Sequence, residues 1–422
     1  MSAINSGLDA LSRPLTSYLG LGPFLRLSIA GGDLQALGFR LLTALAQDPD
    51  NPILLLNTAA ALQSLGQNAT GLMFQSEALT HTNTYRIEAA VQPASLRLLV
   101  LVAPGAMNNN TPIDCLLENS DIELIFYYLR DGEVQSDIDR ARALPHDVVL
   151  VGIGECDSTR STLAALTPAL LDWPHPVMNR PQHLWLTDRD AASATLQNIA
   201  GLLMPQTIRV AGAMLRGIAD GQNTLHDVPG GMNFPVIVRP IGSQGGYRLN
   251  KLESTTELSH YLDEYFPHAA EETFFIAPFI DYRDAQGQFK KIRVALIDGQ
   301  AHVCHMGISS HWMVHYVNAG MYEDARKRQQ EADFMAHFDE FVQRHRSALQ
   351  AISRQLPLEY MVMDCAETQA GDLLLFEIDH VGVVHAMDLE SLFPYKQQHM
   401  QHVKQAFRAA LMRRTKKNLS QA

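Results

Sequence analysis

Over the first 90 residues apolar positions recur at three- and four-residue steps, the period of helices that bury one face. PFLRLSIAGGD, LQALGFRLLTALAQDPDN and PILLLNTAAALQSLGQNATGLMFQSEALTHT all carry this pattern. Gly31-Gly32, Asp48-Pro49 and Gly66-Gln67-Asn68 supply the stops between them. Residues 1–90 are therefore predicted to be all-helical. Two arrangements are open, a small bundle docked on the next domain or a groove that takes a peptide or protein partner.

Near residue 95 the pattern changes. LRLLVLVAP (Leu96–Pro104), DIELIFYYL (Asp121–Leu129) and DVVLVGIG (Asp147–Gly154) are apolar runs of strand length, alternating with the helical SDIDRARALP, STLAALTPALLDW and a segment from Asp190 to Leu203. Strands alternating with helices predict βαβ units and a mostly parallel sheet over 95–205. A third unit, 206–415, begins with the helix AGAMLRGIAD and the strand-loop FPVIVRPIGSQGG. KKIRVALIDGQAHVCHMGIS predicts two antiparallel strands joined at Asp298-Gly299, and EYMVMDCAETQAGDLLLFEID a second hairpin turning at Gln369-Ala370-Gly371. A polar helical stretch, about 321–354, lies between them.

Length and composition narrow the class. A chain of 422 residues is too long for one ordinary core, and 46% hydrophobic with 18% charged residues is globular. A net charge of −12 argues against nucleic acid as a partner, though a local basic groove could hold a polyphosphate. The cysteines, Cys115, Cys156, Cys304 and Cys365, have no paired spacing, so neither a zinc site nor a disulfide framework is expected. MSAINSGLDALSRPL lacks the pattern of a secretory signal, and no apolar run reaches 18 residues. The expectation is a cytoplasmic protein with no membrane partner.

Two motifs carry chemistry. In VIVRPIGSQGG a strand delivers Arg239 to a loop containing Gly242, Ser243, Gln244, Gly245 and Gly246. Glycines let backbone N–H groups approach phosphate oxygens, and a nearby cation offsets their charge; a plain hairpin with a flexible tip reads the same way. In LLLFEID, Glu377 and Asp379 are two residues apart and point to one face of a strand. Asp364, thirteen residues before Glu377, can lie opposite them across the hairpin. Such an oxygen-rich set suits Mg²⁺ or Mn²⁺; its bland alternative is a solvated strand end.

The order of these features resembles the ATP-grasp family over roughly residues 95 to 410: an α/β domain, a glycine-loop lobe with VIVRP and GSQGG, a hinge strand, an RV strand, then D and E-x-D. The resemblance implies a pre-ATP-grasp domain at 95–205. It also implies a two-lobed ATP-grasp fold, with the glycine-loop lobe at 206–282 and a metal-binding lobe at 283–415. It further implies a ligase that uses ATP and Mg²⁺ (or Mn²⁺) to activate a small carboxylate or peptide substrate as an acyl phosphate, captured by an amine or another nucleophile that a peptide or protein can carry. By that resemblance Asp364, Glu377 and Asp379 hold metal, and Arg209 and Arg239 contact the phosphates of ATP. Ala277 and Phe279 offer backbone to adenine, with Pro278 where an acid often reads ribose. Arg293 then faces phosphate or a substrate carboxylate, and a homodimer is expected on the same ground. ALAQDPDNPILLLNTAAALQSLGQNATGLMFQSEAL resembles one tetratricopeptide repeat plus the end of another. Together with HPVMNRP, TDRD and HWMVHY, this is similar to the glutamate-ligase-like branch.

HMGISSHWMVHY and His385-Ala386-Met387-Asp388 are expected to wall the acceptor site, with His311 or His315 as a general base. The four-residue spacing of those histidines also suits zinc, and ordinary packing around Trp312 is the plain alternative. Two other functions share these motifs: a phosphotransferase, and a degenerate nucleotide-binding scaffold that grips a protein through its helical N-terminus.

Overall fold

A computed structural model describes residues 14–419 except Asp131 and Gln244. Residues 1–13 of the predicted helical region, and Gln244 of the glycine loop, lie outside the described residues.

Three sheets organise the chain. The first contains β1 (Thr84–Ile87), β2 (Leu96–Val102), β3 (Ile122–Tyr128), β4 (Val148–Val151) and β5 (Val177–Met178) in the order β1-β3-β2-β4-β5, parallel except for β1. Its central strands are buried on both faces, as continuous apolar runs in a parallel sheet require. Leu99 and Leu101 pack against the helices Val134–Ala143 and Arg160–Ala169. Leu98 and Val100 pack on the opposite face against Leu41, Leu54 and Leu55 of the N-terminal helices.

Those helices are Gly22–Ile29, Leu34–Leu45, Pro52–Ser64 and Asn68–His81. Two begin as the sequence directs. The Asp33 carboxylate accepts from the Ala36 N–H at 2.8 Å, and the Asn51 side chain accepts from the N–H groups of Ile53 and Leu54 ahead of Pro52. Their apolar faces share a core with the first sheet, so these helices are a layer on the α/β unit. The region predicted all-helical to residue 90 is not so at its end: Thr84–Ile87 is β1, where the alternately buried Tyr85 lets the chain pair with β3 as an edge strand.

After β6 (Leu202–Leu203), the second sheet contains β7 (Ile208–Ala211), β8 (Val236–Pro240), β9 (Asn250–Leu252) and β10 (Thr273–Pro278), all antiparallel in the order β7-β10-β8-β9. The third contains β11 (Phe289–Ile297), β12 (Gln300–Ser309), β13 (Tyr360–Glu367) and β14 (Leu373–Asp379), with β6 added in parallel at its edge: β12-β11-β13-β14-β6. Both predicted hairpins are present. Asp298 and Gly299 take positive φ at the β11–β12 turn, and Gly371 does so at the β13–β14 turn.

Two features lock the first sheet to the third. Asn179, fully buried, donates its amide to the Tyr360 carbonyl at 2.7 Å and accepts the Tyr360 N–H at 3.0 Å. The helix Lys396–Leu419 buries Met400, Val403 and Phe407 in the core that holds Leu98, Ala295 and Val362. No helix among the described residues is long and apolar enough to cross a membrane.

Candidate functional site

A cavity of about 460 Å³ opens between the second and third sheets. Its lining combines apolar side chains, among them Met204, Ile237, Pro278, Ile280 and Phe376, with the charged Arg189, Arg239, Lys291, Arg293, Asp364, Glu377 and Asp379.

The sheet register builds the charged cluster. His305, Arg293, Asp364 and Glu377 are direct cross-strand neighbours on β12, β11, β13 and β14, so one row of side chains crosses four strands. The register shifts beside this row, between Arg293 and Val294 and between Asp364 and Cys365, where a bulge re-aims side chains. Lys291, two residues before Arg293, shares its face.

Cations satisfy the carboxylates. Arg293 donates Nε to Asp364 Oδ1 at 2.8 Å and Nη2 to Oδ2 at 3.0 Å, while Lys291 Nζ lies 2.7 Å from Oδ2. Burial opposes ionisation of Asp364, yet Arg293 and Lys291 outweigh it and hold its carboxyl well below the ordinary range. Arg189 Nη2 donates to Glu377 Oε1 at 2.5 Å. Burial would likewise raise Glu377, but Arg189, Arg239 and Lys291 keep it low. Asp379 has no such partner; burial, then the Glu377 charge, pushes it up to about 7. Its Oδ1 accepts from the N–H groups of Val381 and Gly382 at 2.8 and 2.7 Å, shaping the loop beyond β14.

On the second sheet, Arg239 of β8, Phe275 of β10 and Arg209 of β7 form another cross-strand row. Arg239 is 8% exposed and donates to Ser243 Oγ at 2.9 Å and to the Ser243 carbonyl, tying the glycine loop to its strand. Burial and the nearby Arg189 pull its pKa down to about 10. Gly242, Gly245 and Gly246 all hold positive φ, and the last two line the cavity.

Arg209 points elsewhere. Its guanidinium bonds Asp190 at 3.0 Å and Asp157 at 3.4 Å and pairs closely with Asp188, outside the cavity lining. Asp188 caps the helix Arg189–Thr195, whose first residue reaches Glu377. Arg209 thus braces the helix that presents Arg189. The sequence reading singled out neither Arg189 nor Lys291. Both had signals: Arg189 sits within TDRD, and Lys291 has the two-residue strand spacing from Arg293.

Ala277, Pro278 and Phe279 line the cavity. β7 pairs with β10 only as far as Ile276, so the strand end is open on that side. The Phe279 N–H is already donated to the Pro235 carbonyl at 3.0 Å. Trp312 stands edge-on to Phe279 with ring centroids 5.9 Å apart, and Tyr282 holds the Trp312 carbonyl at 2.7 Å. His315 lines the cavity, whereas His311 is exposed, outside the lining, and lies within a bend rather than a helix.

Among the described residues no group of three His, Cys, Asp or Glu side chains is placed to hold a metal ion. Asp364 faces Arg293 and Lys291, leaving Glu377 and Asp379 as the carboxylates at the cavity with fewer cation contacts. Two carboxylates are what Mg²⁺ commonly takes, completing its shell with phosphate and water, so this donor set fits it.

No protein-family model and no curated protein matches the sequence. Among solved structures, D-alanine–D-alanine ligase from Bacillus anthracis complexed with ATP is 14% identical. That alignment covers 74% of this chain and 99% of that one, with a TM-score of 0.40. The D-alanine–D-alanine ligase from Coxiella burnetii is 11% identical over 78% and 97%, with a TM-score of 0.46. ATP-grasp ligase PsnB, complexed with precursor peptide PsnA2 and AMPPNP, is 12% identical over 76% and 99%, with a TM-score of 0.39. Likeness at this level assigns no activity to this chain.

Proposed function

We propose that the cavity binds ATP and that the protein is an ATP-grasp ligase, activating a carboxylate as an acyl phosphate for capture by an amine or another nucleophile. One observation carries this reading: a single cavity is lined both by apolar side chains at an open strand end and by Arg189, Arg239, Lys291 and Arg293, with Asp364, Glu377 and Asp379. Four cations exceed what three carboxylates need, and a polyphosphate supplies the missing negative charge. The adenine ring packs against Ile237 and Phe376.

Each residue has a part. Arg239 and the backbone of Gly245 and Gly246 bind phosphate oxygens, with Arg239 exchanging Ser243 for ligand. Arg189 and Lys291 hold the terminal phosphate, and Arg293 orients the substrate carboxylate while anchored to Asp364. Glu377 and Asp379 would hold Mg²⁺, which supplies charge neutralisation at the phosphates. The substrate carboxylate oxygen attacks the terminal phosphorus and ADP departs with the bridging oxygen. The incoming nucleophile then attacks the carbonyl carbon, loses its proton and releases phosphate. Fixed cations favour both steps because they face charge in place, without reorganising.

Calorimetry with ATP, with and without Mg²⁺, on the wild type and Glu377→Gln tests the reading. Mg²⁺-dependent binding that the variant loses is expected, together with ADP release in a screen of amino acids and peptides. Absence of nucleotide binding in the wild type would overturn it.

A further inference from the structure

His315, the last but one residue of the HWMVHY segment, has its ring held in one orientation. Tyr316, the next residue, donates to Glu331 Oε2 at 2.7 Å and accepts from the buried Lys396 at 2.5 Å. The backbone N–H of Asn318 is shared between the His315 carbonyl, at 3.0 Å, and the His315 side chain, and Asn318 Oδ1 accepts the His315 N–H at 2.9 Å. His315 Nε2 is buried without a partner, so the acceptor in that turn is Nδ1. A neutral ring whose Nδ1 accepts carries its proton on Nε2.

That Nε2–H lies under the glycine loop. A Cβ built on Gly246 would stand 2.3 Å from Nε2, so the loop rests on the ring. The charged groups facing the ring are Lys291, Asp364, Glu377 and Arg239, the phosphate end of the cavity in the proposed function. An unpartnered buried donor is costly, and a ligand oxygen placed against it recovers that cost.

We propose that His315 is a neutral hydrogen-bond donor to the terminal phosphate of the bound nucleotide, its Nε2–H exchanging the Gly246 contact for a phosphate oxygen. This rests on the nucleotide reading of the cavity and deepens it. It also removes His315 from the role of general base. In the neutral ring only Nδ1 can take a proton, and Nδ1 already accepts from Asn318 on the side of the turn. Burial, then Lys291, keeps the ring below its ordinary pKa, which maintains the neutral donor.

The test titrates wild type, His315→Phe and His315→Gln with Mg–AMPPNP and Mg–ADP by calorimetry. His315→Phe should lose about ten- to a hundredfold in AMPPNP affinity, as expected for a donor to a charged oxygen, with ADP changed less than about threefold. His315→Gln, whose amide is a donor, should recover most of the loss. Unchanged AMPPNP affinity in His315→Phe overturns the proposal and leaves the nucleotide reading standing. Equal losses of ADP and AMPPNP in both variants would make His315 structural and overturn it as well. No nucleotide binding by the wild type ends both readings. Nitrogen NMR of histidine-labelled wild type needs no variant: a protonated Nε2 with a bare Nδ1 is expected, and the reverse tautomer overturns the assignment.

Discussion

Arg293 and Asp364 face each other on neighbouring strands, and the guanidinium closes on both carboxylate oxygens at 2.8 and 3.0 Å. Lys291 adds a third contact, so one carboxylate balances two cations in the charged lining of the cavity.

Asp364 should therefore matter to the fold before it matters to any ligand. Its side chain is nearly inaccessible, and removing one member of a buried ion pair typically costs about 3–5 kcal/mol. Asp364→Ala should fall in that range in urea unfolding of the ligand-free protein. Glu377→Gln, whose side chain is more exposed, meets one cation rather than two and keeps an amide oxygen for Arg189, should lose less. Equal midpoints for the two variants would show that the Asp364 pair is not closed in solution.

Arg189 and Arg209 make a second contrast. Arg189 lines the cavity, whereas Arg209 is held by Asp157, Asp188 and Asp190 beyond it. Arg189→Ala should weaken ATP binding by about tenfold or more, the loss of a charged hydrogen bond. Arg209→Ala should stay within about threefold, because the helix carrying Arg189 keeps its Asp188 cap. The opposite ranking in calorimetry would restore Arg209 as the phosphate ligand.

That contrast marks where the sequence is legible. Two-residue periodicity and turn chemistry put Asp364 opposite Glu377, because Asp298-Gly299 and the turn at Gly371 fix the strand registers. Arg239 and its glycine loop are local and equally readable. Arg209 is a different case: a strand period says which face a side chain leaves from, and nothing about Asp188 and Asp190, which come from another element. Residues near 200 also differ from expectation. The helix predicted from Asp190 to Leu203 stops at Thr195, and Leu202–Leu203 joins the edge of the third sheet beside Leu373 and Leu374. A two-residue strand has no period to read. His311 and His315 have helical spacing in the sequence, but residues 311–313 form a bend held by the Tyr282 hydroxyl on the Trp312 carbonyl, and only at Tyr316, bonded to Glu331, does a short 3-10 turn begin.

Gly246 and Gly242 hold nearly the same left-handed backbone, φ 75° and 74°, but differ in what lies above them. Nothing stands within 4 Å of a Cβ at Gly242, whereas His315 Nε2 is 2.3 Å from one at Gly246. Alanine at either position should carry a strain of about 1–2 kcal/mol. Only Gly246→Ala should also lift the loop from His315, so its nucleotide affinity should fall several-fold below that of Gly242→Ala. Matching affinities for the two variants would mean that the loop does not rest on the ring.

His146 gives a pH dependence remote from the cavity. It is 3% exposed, and Trp173 donates its indole N–H to Nε2 at 2.9 Å. The proton is then on Nδ1, which donates to the Leu144 carbonyl at 2.7 Å. Burial holds the folded-state pKa below the ordinary 6.5, so between the folded and unfolded values the unfolded chain binds the extra proton. Stability from this group is fully present above about 6.5 and declines as pH falls below it. Urea midpoints taken at about pH 7.5, 6.5 and 5.5 should drop with acidity in the wild type, and the drop should be shallower in His146→Gln, which cannot titrate. A variant with the wild-type slope would assign the acid sensitivity to other groups, because a glutamine in the same pocket keeps its polar character but has no proton to gain.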